Sequence, residues 1–223
     1  MSLKAVIFDM DGVIIDSEPV HYLVNKEMFG QFGIKFTQKD NDRFIGVSNP
    51  AMYAEYKSKY EINLSIEELS RLQLEKFLKK INNSFGKYRP IPGITALLAE
   101  LKENNIKIGL ASASDMEVIE AVLKSFRIKD YFKVIVSGIG MKRGKPAPDI
   151  FLKTAKKLRV KPADCAVIED SKHGVQAAIS AGMKCIGYKN ANSGNQDISK
   201  ADLVVNKISK IDVGILKKLW RVR

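Results

Sequence analysis

Near the start of the chain two aspartates stand one residue apart, Asp9-Met10-Asp11, directly after an apolar run and directly before Gly12. Three later segments carry groups of the same chemical interest: Leu110-Ala111-Ser112, Arg143-Gly144-Lys145-Pro146 and Val167-Ile168-Glu169-Asp170-Ser171. Brought together, four carboxylates would repel one another and resist ionisation unless a cation neutralised them. A donor set made only of oxygen selects a hard ion, and Mg²⁺ is the expected one. A carboxylate to spare, with the Lys145 ammonium and the Ser112 hydroxyl, suits a substrate that carries phosphate. Asp9 can then face the phosphorus as nucleophile while Asp11, across the turn at Gly12, serves as acid and base.

Such groups meet only if the chain puts them at one edge of one scaffold. Short apolar runs at Lys4–Phe8, Ile106–Ala111, Val134–Val136, Ala166–Ile168, Cys185–Tyr188 and Leu203–Val205 read as strands buried on both faces. Between them, Asp115–Phe126, Pro148–Leu158 and Ser171–Ala181 repeat their apolar residues at helical spacing. Alternation of this kind predicts an α/β fold, a doubly wound, Rossmann-like parallel sheet. Ligands bind such sheets beyond the carboxyl ends of the strands, where the acids, Ser112 and Lys145 fall.

About ninety residues separate the first two strands, far more than one crossover helix needs. Val20–Phe32, Pro50–Tyr60 and Ser65–Ile81 are helical patterns, the last opening on the capping-box pair Ser65 and Glu68. Phe85 to Gly93 reads as a linker into a new helix. The expected organisation is therefore a core of residues 1–16 and 89–223 with a helical cap of residues 17–88, hinged over the site.

With 223 residues, 45% of them hydrophobic and 28% charged, the chain has ordinary globular composition. Cys165 and Cys185 lie in apolar runs and read as buried thiols of a reducing compartment. Asp9 and Asp11 interrupt the first apolar run, which is therefore no signal peptide, and no stretch reaches the roughly 18 apolar residues of a membrane span. A soluble, cytoplasmic protein is expected, with Met1-Ser2-Leu3 of open origin. The net charge of +12 invites a nucleic-acid reading. Half of the excess outside the insert, however, lies between Lys207 and Arg223, where Ile208, Ile211, Ile215 and Leu219 predict a docked terminal helix with a solvated basic face. Aromatic and basic residues are not interleaved as a single-strand binding surface requires, so no nucleic-acid partner and no membrane partner is expected.

Asp9-Met10-Asp11-Gly12-Val13, Ser112, Lys145 and Glu169-Asp170 follow the order and spacing of the four motifs of the haloacid dehalogenase-like superfamily, which this sequence resembles over nearly its whole length. Gly144-Lys145-Pro146-Ala147-Pro148-Asp149 and Glu169-Asp170-Ser171-Lys172-His173-Gly174 are especially similar to its helical-cap branch of β-phosphoglucomutases and small-molecule phosphatases. The resemblance implies that Asp9 becomes an aspartyl-phosphate and that Asp11 protonates the leaving alcohol and then activates water. It implies Mg²⁺ on Asp9, the Asp11 carbonyl and Asp170, with Glu169 a further ligand or just beyond. Phosphate would meet Gly12, Ser112, Ala113 and Lys145. Ser114 or Asp115 is expected to cap the following helix, leaving Ser112 free. His21 and Asn49 are candidate cap contributors, and His173 is expected at the surface.

The sequence departs from the mutases in two places. Their cap arginine follows a Gly-x-Ser step, whereas Gly46-Val47-Ser48 is followed by Asn49; and Asp115-Met116 stands where they carry Lys-Asn. The expectation is thus a Mg²⁺-dependent phosphatase of a small phosphorylated metabolite, such as a sugar or polyol phosphate, working as a monomer. β-Phosphoglucomutase is the alternative. Asp11 argues against dehalogenase and phosphonatase chemistry.

Overall fold

A computed structural model describes residues 2–45, 49–83 and 88–220. Six strands, β1 Ala5–Phe8, β2 Lys107–Ser112, β3 Val134–Ser137, β4 Cys165–Glu169, β5 Lys184–Tyr188 and β6 Leu203–Val205, form one parallel sheet in the order β3-β2-β1-β4-β5-β6. Each falls within a residue or two of its apolar run. Val6 and Phe8 of β1 face one way, into a core with α5 (Ile94–Glu103) and α6 (Met116–Ser125). Ala5 and Ile7 face the other way, against α7 (Asp149–Leu158) and α8 (Lys172–Ser180). Burial on both faces explains why the strands read as continuous rather than alternating apolar runs. Phe8 and Phe151, fully buried on opposite faces, each contribute roughly 1.5–3 kcal/mol. The strand order reverses between β1 and β4, and at that switch point an open sheet leaves a crevice for ligand.

Between β1 and α5 the described residues form four further helices: α1 Glu18–Gly30, α2 Gln38–Phe44, α3 Asn49–Tyr60 and α4 Ile66–Asn83. Ser65 and Glu68 close the expected capping box, with Ser65 N donating to Glu68 Oε2 at 2.7 Å and Glu68 N to Ser65 Oγ at 3.1 Å. Helix α2 has no counterpart in the sequence expectations. Its start is a second capping box, Thr37 with Asp40, in which the shorter acid stands at the third helical position. Phe29, Phe36 and Tyr56 form an aromatic centre for these helices, with ring centroids 4.4–5.6 Å apart. Val20 and Val24 of α1 and Phe77 and Ile81 of α4 instead join the buried cluster that covers the sheet.

Of the expected linker, Phe85 to Gly93, residues 85–87 lie outside the described residues, as does the Gly46-Val47-Ser48 step. Gly93 opens α5 at φ +100°, and a Cβ there would stand 2.6 Å from the backbone nitrogen of Ser209, so glycine is required twice over. The terminal segment differs from its expectation. It is a single 3₁₀ turn at Ile208–Lys210 followed by a separate helix α9, Val213–Lys218. Asp212 is extended and restarts the helix, its Oδ1 accepting from Ile215 N at 2.6 Å. The break shifts the phase, so Val213 and Leu216 are buried rather than Ile215 and Leu219, while Lys217 and Lys218 stay in solvent. Arg221 and Arg223 lie outside the described residues.

Candidate active site

Asp9 extends β1 by one residue, its N–H donating to Ile168 O of β4 at 3.0 Å. The chain then folds back on itself, with Val13, Ile14 and Ile15 N–H groups all reaching the Met10 carbonyl at 2.8–3.2 Å. Those three side chains are buried, so the apolar residues after the motif anchor a turn whose polar residues face the crevice. Gly12 takes φ +74° in that turn, and a Cβ on it would run into the Asp170 carboxylate.

Lys145 bridges two strand ends, Nζ donating at 2.6 Å to Asp9 Oδ1 and at 2.6 Å to Glu169 Oε1. Its loop is tied to the start of α7 by Arg143 Nη2, 2.9 Å from Asp149 Oδ2. Glu169, 1% exposed, spends its other oxygen on Ser171, accepting from N at 2.8 Å and from Oγ at 2.9 Å. Gly174 of α8 lies against this carboxylate so closely that a Cβ would overlap it. Asp170 is 7% exposed and is hydrogen-bonded by Ser193 Oγ.

Asp11 Oδ2 accepts from Ser114 Oγ at 2.7 Å and from Ser112 Oγ at 3.3 Å. Its Oδ1 is buried with no hydrogen-bond partner among the described residues, an acceptor in reserve beside the crevice. Ser112 Oγ also accepts from Ser114 N at 3.0 Å. Ser112 is therefore not free, and neither Ser114 nor Asp115 caps α6 through its side chain, because Ser114 turns to Asp11 instead.

Burial pushes the Asp9 carboxyl up to about 7; Lys145 pulls it down, and the charges of Glu169 and Asp11 add to the rise. Asp170 is raised well above the usual range by burial and by Glu169 and Asp9. Burial opposes the charge on Lys145, but Asp9 and Glu169 outweigh it and hold the ammonium protonated. One lysine thus leaves this group of carboxylates short of positive charge. A hard divalent cation fits that deficit, since the donors are all oxygen. Among the described residues no three His, Cys, Asp or Glu side chains form a ready-made cage. Asp9 and Asp170 would share the ion with backbone, substrate and water, as is usual for Mg²⁺.

Asp9, Asp11, Gly12, Ala113, Lys145, Glu169 and Asp170 line one cavity of about 450 Å³. His21 and Asn49 line a different recess of about 110 Å³, between α1 and α3. His21 Nδ1 lies 3.1 Å from Gln73 Nε2 and its ring packs on Phe77. Burial holds its pKa below the ordinary value, against the pull of Asp11. His173 is exposed in the first turn of α8.

Sequence reasoning missed Glu18, Ser114, Ser171, Asn190 and Ser193. Asn190 Nδ2 donates to Gly12 O at 3.0 Å, so the loop after β5 closes over the motif turn. Its signal was the polar run Asn190-Ala191-Asn192-Ser193 at the carboxyl end of a strand. Glu18 lines the 450 Å³ cavity, and burial first, then Asp11, raises its carboxyl to about 7.

Two carboxylates on a turn after β1, with a hydroxyl at the end of β2, a bridging lysine and an acidic pair at the end of β4, define a class, and the comparison agrees: residues 6–188 match the haloacid dehalogenase-like hydrolase family, to which the chain belongs. It is an enzyme of the phosphatase and phosphotransferase kind. It is 38% identical to a β-phosphoglucomutase of Bacillus subtilis, over 98% of this chain and 96% of that protein. It is 34% identical to a phosphorylated carbohydrates phosphatase of Thermotoga maritima, over 82% and 84%. The solved β-phosphoglucomutase of Clostridium difficile superposes with a TM-score of 0.81 at 32% identity, over 98% and 97% of the two chains. Among the described residues no helix is long and apolar enough to cross a membrane.

Proposed function

We propose that this enzyme is a Mg²⁺-dependent phosphatase of a small sugar or polyol phosphate, acting through an aspartyl-phosphate on Asp9. The observation that carries the reading is the division of labour on one turn. Asp9 is held by Lys145 beside Asp170, whereas Asp11 is held by Ser112 and Ser114 and keeps Oδ1 unpartnered. Asp9 Oδ attacks phosphorus as the phosphorus–oxygen bond to the alcohol breaks, and the departing oxygen takes a proton from Asp11. Asp11 then removes a proton from water, which attacks the aspartyl-phosphate and frees phosphate and Asp9. Asp9, the Asp11 carbonyl and Asp170 would hold the cation, which when bound offsets charge on the transferring phosphoryl group. Glu169, with both oxygens engaged by Lys145 and Ser171, orients the lysine rather than the ion. Ser112, Lys145 and the Gly12 and Ala113 backbone would receive the phosphate.

Residues 17–88 act as the cap in this reading, and the chain works as a cytoplasmic monomer. Phosphate release measured over sugar and polyol phosphates with Mg²⁺, beside Asp9→Asn, tests it: turnover should occur in the wild type and vanish in the variant. Release that survives in Asp9→Asn would overturn the assigned nucleophile. The 38% identity to a β-phosphoglucomutase supports a second reading, mutase activity. Formation of glucose 6-phosphate from β-glucose 1-phosphate, without net phosphate release, would favour it.

A further inference from the structure

We infer that Ser193 is a positioning residue for Asp170: its hydroxyl takes up one carboxylate oxygen, so that a single oxygen is offered to a cation, and this favours Mg²⁺ over a larger ion such as Ca²⁺. The inference rests on the Mg²⁺-dependent reading and adds to it a source for the choice of ion.

Asp170 directly follows β4 and is 7% exposed; Ser193, also 7% exposed, reaches it from the loop after β5. Ser193 Oγ donates to Asp170 Oδ2. Gly12 closes on the same oxygen from the motif turn: a Cβ built there would stand 1.9 Å from Asp170 Oδ2 and 2.9 Å from Ser193 Oγ. Oδ2 is thus enclosed between a hydroxyl and a glycine, and turning the carboxylate would break the bond or drive the oxygen into the turn. Oδ1 is left for the 450 Å³ cavity, whose wall Asp170 and Ser193 share.

The hydroxyl is delivered by a braced loop. Asn190 is buried, its Nδ2 donating to Gly12 O at 3.0 Å and its Oδ1 accepting from Asn192 N at 2.9 Å, which turns the chain into Ser193. Gln196 Oε1 accepts from Lys172 N at 3.1 Å and ties the far end to the start of α8. Gly194 takes φ +70° between them, and a Cβ on it would stand 2.9 Å from Ile45 Cγ2. A loop held at Gly12, Lys172 and Ile45 orders the Ser193 side chain before any ion arrives. Mg²⁺ requires a near-octahedral shell, which a carboxylate meeting it through one oxygen suits, whereas Ca²⁺ takes about six to eight oxygens and accepts a carboxylate through both.

Calorimetric titration of the metal-free protein with MgCl₂ and with CaCl₂ tests this. Ser193→Ala should raise the Kd for Mg²⁺ about 10- to 100-fold, the usual effect of losing a group that orients a metal ligand, and should raise the Kd for Ca²⁺ by less than about 3-fold. The Mg²⁺ concentration that half-saturates phosphate release should rise in step. Ser193→Cys, of similar size with a weaker donor, should fall between the wild type and Ser193→Ala. Asn192→Ala removes the bond from Asn192 Nδ2 to Asp16 Oδ2 in the same loop but keeps the Ser193 hydroxyl, and should leave both constants as in the wild type. A wild-type Kd for Mg²⁺ in Ser193→Ala, equal weakening of both ions, or the same loss in Asn192→Ala would overturn the inference and leave the Mg²⁺ reading intact. A wild type that takes up no Mg²⁺ would instead sink that reading, and the inference with it.

Discussion

Replacing Gly174 by alanine adds one methyl group to a buried helical position, and the sign of its effect turns on Glu169. Alanine favours a helix interior over glycine by about 1 kcal/mol, so in isolation the change stabilises α8. Here the new Cβ overlaps the Glu169 carboxylate, which must swing away. At 1% exposure that side chain has no solvent to move into, and it accepts from Ser171 N, Ser171 Oγ and Lys145 Nζ at 2.6–2.9 Å. Hydrogen bonds to charged groups are worth about 1.5–3 kcal/mol each, so losing two of the three costs about 3–6 kcal/mol. Net of the helix gain, Gly174→Ala should destabilise the protein by about 2–5 kcal/mol, a fall of roughly 5–15 °C in Tm for a chain of this size. Phosphate release should fall about 100-fold or more as Lys145 loses one of its two anchors. Calorimetry on the Mg²⁺-loaded protein reads the first effect and a phosphate-release assay the second. A Gly174→Ala protein as stable and as active as the wild type would refute the placement of Glu169 between α8 and Lys145.

Two further outcomes follow from the charges of the site. Mg²⁺ at 100 times its Kd should stabilise the wild type by about 2.7 kcal/mol, chelation should remove that gain, and Asp170→Asn should show little of it in a melting titration. The Glu18 carboxyl, lifted by burial from its ordinary 4.5 to about 7, keeps its proton in the fold where the unfolded chain has lost it. Stability should therefore decline as pH rises from about 4.5 to 7, and Glu18→Gln should flatten that part of a urea-unfolding profile taken against pH.

The sheet was legible because its strands are buried on both faces, so that Ala5–Phe8 and Cys165–Glu169 announce themselves as unbroken apolar runs ending in acids. The residues at those ends, from Asp9 to Asp170, could be gathered from strand topology and motif spacing together. What the sequence hid depends on contacts between distant segments. Nothing near Ser114 says that its hydroxyl reaches Asp11, and nothing near Ser193 says that it reaches Asp170. Glu18 looks like an ordinary first-turn acid until the surrounding helices bury it in the wall of the 450 Å³ cavity. The terminal segment misled because Ile208, Ile211, Ile215 and Leu219 fit one helical phase, and only the extended Asp212 reveals that the phase is broken.

The seam between the inserted helices and the sheet bears on how substrate enters. Val20, Val24, Phe77 and Ile81 belong to the buried cluster over the sheet, whereas the aromatic centre at Phe29 and Tyr56 belongs to the inserted helices. Lifting all four helices clear would bring those four side chains into water at roughly 1.5–3 kcal/mol each, a barrier comparable to the stability of a whole domain. A roll about α1 and α4, with the aromatic centre swinging as a unit, would keep that edge buried, like a door whose greased edge never leaves its frame. Traffic through the site would then slow when that edge is widened or stiffened, even though Val20, Val24, Phe77 and Ile81 do not line the 450 Å³ cavity.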